Sequence, residues 1–283
     1  MDIENRMWKS PTVDKQSVFF AFPFRADEPD LMYELPGGAT RAAAPYVPGS
    51  PQHMRAIRHW AGLQEASGGI AWATGEAALV QFGDLHSPYT PFPGTLPLKR
   101  PEESTIYSWV LNNIWDTNFP TEQGGEMRFR YSIASQAEGD IVGLGTRLGE
   151  AIASPLVAVA APLRDGTLAS GSFCSIERPE IRLLQVTESA EDGDLLLWLN
   201  NCSHEEILSA VEFPDLAVES VQLATAFEDR RATVTMSGGA VSVRLLPGET
   251  RGLVLKLAAR LPFRHPRPTD PLNPRPEHCP REP

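Results

Sequence analysis

Three cysteines in 283 residues, Cys174, Cys202 and Cys279, are too few and too scattered for a disulfide framework or a zinc knuckle. Reduced thiols in a cytoplasmic setting fit that usage. Long apolar runs are also missing. No stretch nears the roughly 18 residues of a membrane span, and Met1 to Lys9 is charged, without the apolar stretch of a signal peptide. Positive charge is in deficit, with 25 Lys and Arg against 36 Asp and Glu and a formal net charge of −11. Such a surface repels phosphate backbones. Neither nucleic acid nor a membrane is therefore an expected partner.

Chemistry-bearing motifs are just as scarce. There is no phosphate-binding Gly-rich loop before a Lys-Ser/Thr pair, no Gly-x-Ser-x-Gly elbow and no His-Glu-x-x-His. Gly143-Leu-Gly145 falls inside a helical pattern rather than after a strand, so it is no dinucleotide site. His204-Glu205-Glu206 reads as a solvated hairpin turn. None of the six histidines sits two residues before an Asp. No catalytic residue, metal ligand or cofactor is assigned to this chain.

Turns and short strands are abundant. Residues 1–16 read as a linker or truncated edge, and strand material begins at Ser17-Val-Phe-Phe-Ala-Phe22. Proline and glycine make residues 25–53 read as loop. Ser50-Pro51 suits a helix start, which predicts a short helix over His53 to Leu63. Met127, Phe129, Tyr131 and Ile133 alternate with polar residues, the mark of a half-buried antiparallel strand. A helix follows, with Asp140 as N-cap and Ile141, Leu144, Leu148 and Ile152 on one stripe. Beyond Pro162 short strands recur between Asp192-Gly193, Pro214-Asp215, Gly238-Gly239 and Pro247-Gly248. The fold class is all-β with one short helix: a large sandwich over 17–175, a smaller one over 176–260, and a tail over 261–283 rich in proline that has too little apolar surface to pack.

One segment gathers chemistry. Residues 107–125 place aromatics beside amides and a hydroxyl. A sugar has an apolar C–H face and a rim of hydroxyls, and such a mixture matches both. Trp115 with Asn113, Thr117, Asn118 and Gln123 forms the candidate set. The plainer reading comes first on residue chemistry alone: tryptophan in the core, amides satisfying loop backbone.

Asn112-Asn-Ile-Trp-Asp-Thr-Asn-Phe119, Gln123-Gly-Gly125 and Phe129-Arg-Tyr-Ser-Ile133 resemble a signature in the C-terminal half of glycoside hydrolase family 38 α-mannosidases. Phe20-Ala-Phe-Pro-Phe24, Leu79-Val-Gln-Phe-Gly83, Val243-Arg-Leu-Leu-Pro-Gly-Glu249 and Leu253-Val-Leu255 are similar to flanking strands, so the likeness runs over about 17–257. The resemblance implies a galactose-mutarotase-like super-sandwich followed by smaller β elements, in a retaining enzyme of mannose metabolism whose zinc and nucleophilic Asp belong to an N-terminal barrel. Nothing here matches that barrel's motifs, so zinc is expected only in a catalytic domain this chain lacks. Asn113, Trp115, Thr117, Asn118 and Gln123 would wall or support its active site. The implied partners are a mannose-containing glycan and a separate barrel chain. A stand-alone carbohydrate-binding module and a structural fragment without function remain as alternatives.

Overall fold

The computed structural model describes residues 1–26, 28–44, 54–83, 85, 103–113, 120–160, 170–189, 193–227 and 229–258. In chain order the first part holds β1 (Asp2–Lys9), β2 (Ser17–Pro23), β3 (Asp30–Leu35), β4 (Gly38–Arg41), β5 (Arg55–Ala56), β6 (Trp60–Glu65), β7 (Gly68–Thr74), β8 (Leu79–Phe82), β9 (Thr105–Asn112), β10 (Gly125–Gln136) and the helix α1 (Ile141–Ala153). The second part holds β11 (Ser175–Ile176), β12 (Ile181–Glu188), β13 (Leu195–Asn201), β14 (Ile207–Glu212), β15 (Val218–Ala224), β16 (Arg230–Val234), β17 (Met236–Ser237), β18 (Ala240–Leu245) and β19 (Thr250–Leu257). All pairings are antiparallel. They make four sheets, ordered β1-β10-β7-β6-β3-β4, β2-β9-β8-β5, β12-β13-β19-β15-β16 and β11-β14-β18-β17.

The first two sheets face each other over one core. Leu31, Tyr33, Leu63, Trp72, Phe129 and Tyr131 come from the six-stranded sheet, and Phe22, Val80 and Ile106 from the four-stranded one. Tyr131 lies at the seam, its ring centroid 4.8 Å from Phe22 and 5.3 Å from Trp72. Its hydroxyl meets Ser108 Oγ on the opposite sheet at 3.0 Å. Burial pushes the phenol up to about 12, so it stays protonated and can donate. The expected alternation in β10 is borne out: Phe129 and Tyr131 are buried, while Arg128 is exposed.

The other two sheets enclose a separate aliphatic core. Leu197, Leu199, Leu253 and Leu255 meet Ile207, Val211, Val241, Val243 and Leu245 across it. Strand rhythm and turns agree closely with the sequence reading here. Gly238 and Gly239, between β17 and β18, have φ of 62° and 84°, a region closed to most side chains, so the pair is suited to its turn.

Three local expectations change. Of the two readings of residues 1–16, edge rather than linker fits the start of the segment: β1 pairs with β10 over eight positions from Asp2–Ser132 to Lys9–Gly125, and it forms the sheet edge. Part of 25–53 is a hairpin, because Pro36-Gly37 is the two-residue turn between Leu35 and Gly38 rather than a break in structure. The helix predicted over 53–63 is absent where the chain is described. Arg55–Ala56 and Trp60–Glu65 are strands, and β6 is bonded on both sides, to β3 and β7. Two ladders outweigh a weak helical propensity.

Asp140 does cap α1, its carboxylate accepting from Val142 N at 2.9 Å. The buried face differs from the predicted stripe. Ile141 and Ile152 are buried, but Gly145, Thr146 and Gly149 stand where leucines were expected, and Leu144 and Leu148 are half-buried. The glycines bring the helix backbone onto Trp60, which is completely enclosed.

Candidate functional site

Of the five residues picked for carbohydrate contact, Trp115, Thr117 and Asn118 lie outside the described residues. Asn113 is fully buried just after β9. Its amide nitrogen donates to Asp14 O at 2.7 Å and Thr12 O at 3.3 Å, and its Oδ1 accepts from Gln16 N at 3.2 Å. Both amide hydrogens are thus committed to main chain, and the side chain pins residues 12–16 to the end of β9. Gln123 is half-buried, and its carbonyl accepts from Lys9 Nζ at 2.8 Å. The structure therefore ties Asn113 to residues 12–16 and the Gln123 carbonyl to Lys9. Trp109, the segment's other indole, is core: it stacks on Phe19 at 5.6 Å and donates from Nε1 to Leu111 O.

A second constellation was not foreseen. Glu34 on β3, Arg58 and His59 ahead of β6, Glu150 on α1 and Arg182 on β12 converge where the two sandwiches meet. The Glu34 and Arg182 side chains are each only 2% exposed. Glu34 accepts from Arg182 Nη1, from Arg58 Nη1 at 3.2 Å and from the His59 backbone N at 3.1 Å. Arg58 also reaches Glu150 Oε1 at 3.1 Å. Arg182 continues to Asn200 Oδ1 at 3.2 Å, and Asn200 Nδ2 donates to Glu249 O and Thr250 Oγ1 in the second sandwich. Ala39 N donates to Cys202 O at 2.9 Å across the same seam.

Ligand atoms of Glu34, His59 and Glu150 lie within 4.8 Å of one another, the reach of a divalent cation's shell. The donor chemistry does not suit one. Two guanidinium groups already balance the two carboxylates, and a dication would sit against both positive charges. The cluster is an ion-pair network that joins the sandwiches.

His59 is 22% exposed at the side chain, and its Nδ1 has no hydrogen-bond partner. Burial holds its pKa below the ordinary 6.5, opposed by Glu34 and reinforced by Arg58. A histidine depressed in the folded state binds its proton more readily when unfolded, so stability is lost as pH falls through 6.5. The thermal midpoint is expected to drop less steeply below that pH in His59→Gln than in the natural protein. Equal pH slopes in the two would show that His59 does not titrate here.

Burial also pushes the Cys174 thiol up to about 11 and raises that of Cys202, which makes both poor nucleophiles. Both are free, and Cys279 lies outside the described residues. No helix among the described residues is long and apolar enough to cross a membrane.

No protein-family model matches the sequence, and no curated protein matches it either. Solved structures do match in fold. An alpha-mannosidase from Enterococcus faecalis V583 aligns with a TM-score of 0.60 at 13% identity, covering 85% of this chain and 26% of its own. A protein in the glycosyl hydrolase family 38 from Enterococcus faecalis aligns with the same TM-score, identity and coverage. The chain therefore spans about a quarter of the length of these structures, and the likeness is one of fold.

Proposed function

We propose that this chain is the carbohydrate-associated β portion of an α-mannosidase-like glycoside hydrolase, with bond cleavage performed by a zinc-bearing barrel from elsewhere. In this reading the larger sandwich is of the galactose-mutarotase-like type, the pair acts on a mannose-containing glycan in the cytoplasm, and Asn113, Trp115, Thr117, Asn118 and Gln123 wall or support the active site. The observation that carries it lies just after α1. Ser154 to Ala160 is exposed throughout, with Leu156 fully open and Val157 and Val159 at 84% and 79% exposure. Three aliphatic side chains in one exposed run ask for a cover. The matched mannosidase structures carry most of their length outside the region this chain resembles, which supports the barrel as the occupant.

Carboxylate chemistry points the same way. Glycoside hydrolysis needs one carboxyl group to protonate the leaving oxygen and another free to attack or to activate water. Glu34 and Glu150, the close pair in the cluster, are both engaged by Arg58 and Arg182. Neither is available for that work.

The purified chain is expected not to cleave an aryl α-mannoside, with or without zinc, and to form a complex with a barrel chain encoded beside it that does. Leu156→Asp combined with Val159→Asp should weaken that complex about 100-fold or more, since burial of each side chain is worth roughly 1.5–3 kcal/mol. Zinc-dependent turnover by the chain alone would end this reading.

A further inference from the structure

The outward face of β1 carries a feature that the loop candidates do not explain. Ile3 and Met7 pack inward on the core, which turns Asp2, Glu4, Arg6 and Trp8 to the outside. Trp8 is 76% exposed, an indole standing on a strand bonded along its whole length to β10. An aromatic ring on a rigid ladder offers a flat apolar surface at little ordering cost.

Its surroundings are polar and neutral. Glu126 stands directly opposite Trp8, and Arg128 directly opposite Arg6. Glu4 accepts from Arg6 at 2.5 Å and pairs with Arg128 at 2.7 Å. Glu126 raises the pKa of Arg6 further, after the larger effect of Glu4, so its carboxylate lies within electrostatic range of that guanidinium. Around the ring two arginines and two glutamates cancel, and Asp2 lies at the far end of the strand. This face attracts neither a polyanion nor a polycation, yet it offers planar N–H donors and carboxylate acceptors beside an exposed ring. Lys9 Nζ holds the Gln123 carbonyl against the same end of the strand.

We propose that Trp8 is the stacking platform of a carbohydrate-binding surface. The ring takes the C–H face of a neutral sugar, and Arg6, Arg128 and Glu126 take its hydroxyls. The proposal rests on the functional reading above for the sugar class, and it adds a binding site on the opposite side of Lys9 from the core.

Mannotriose titrated into the full chain tests it, read by the indole N–H resonance of Trp8, which Trp8→Phe identifies by its disappearance. That resonance is expected to shift saturably. By calorimetry Trp8→Phe should bind within a few-fold of the natural chain, and Trp8→Ala about tenfold or more weakly. Because Trp8 is exposed, near-UV dichroism should show both variants folded. A Trp8 signal that stays still at saturating mannotriose overturns the proposal, as does undiminished binding by Trp8→Ala. Self-association that Trp8→Ala abolishes overturns it too, in favour of a protein contact. None of these results bears on whether the chain joins a barrel, since that test reads mannoside turnover and the Leu156 face.

Discussion

Arg182→Met is expected to cost about 3–5 kcal/mol, because it strands the Glu34 carboxylate among apolar and half-satisfied groups. The magnitude follows from position: both side chains are 2% exposed, and Glu34 reaches Arg182 from the other sandwich. Arg58 remains, but it is more exposed and already shared with Glu150. Adding Glu34→Leu removes the orphaned charge and should recover much of the loss, since a buried pair often contributes little more than apolar residues of similar volume. Calorimetry separates the possibilities. The natural chain should melt as one cooperative unit, and Arg182→Met should split into two transitions as the sandwiches uncouple. One unchanged transition in the single variant would show that the ion pair does not join them.

Gly145→Ala should destabilise the first sandwich by about 1–3 kcal/mol through overpacking, although alanine favours a helix over glycine by roughly 1 kcal/mol. A methyl group at this position would lie 2.3 Å from Trp60 Cδ2, and the ring is completely enclosed and unable to swing aside. Trp60→Phe should partly rescue it by making room. Gly37→Ala serves as the control, because nothing lies within 4 Å of the added carbon. If Gly145→Ala instead raises the denaturation midpoint, the helix has room to lift from the sheet.

The second sandwich was the most legible part of the chain, for a physical reason. Its strands are short, β14 and β18 alternate buried with open positions, and Gly238-Gly239 and Pro247-Gly248 stand at strand ends. Period and punctuation are local signals that survive without tertiary context. The failures arise where context decides. The Ser50-Pro51 start signal points to a helix over β6, and no strand period corrects it: the strand is covered on both faces, by the core and by α1, so no polar side marks it. β1 carries Asp2, Glu4 and Arg6 on its outward face, which resembles a linker in sequence and is what an edge strand with an open face requires.

The candidate site was legible in part. The segment 107–125 stands out by composition, and Asn113 matters in it, but as an anchor for main chain rather than a free amide. The ion-pair network left no trace. Glu34 and Arg182 are 148 residues apart, and a lone Glu in one strand and a lone Arg in another look like ordinary surface residues. Trp8 was equally hidden, since exposure is not readable from an isolated indole among charges.

The pairing of Asp2 with Ser132 sets the order in which the first sandwich can be finished. β1 is made before its partner, which follows only after more than a hundred further residues. Until then its backbone donors and acceptors have only water, and the β10 position in the six-stranded sheet is empty. Closing so long a loop is slow compared with forming the neighbouring hairpins. Pairing of β1 with β10 is therefore a late step of the first sandwich during synthesis, and a nascent protein with β1 still undocked is the species most open to chaperones and to mispairing.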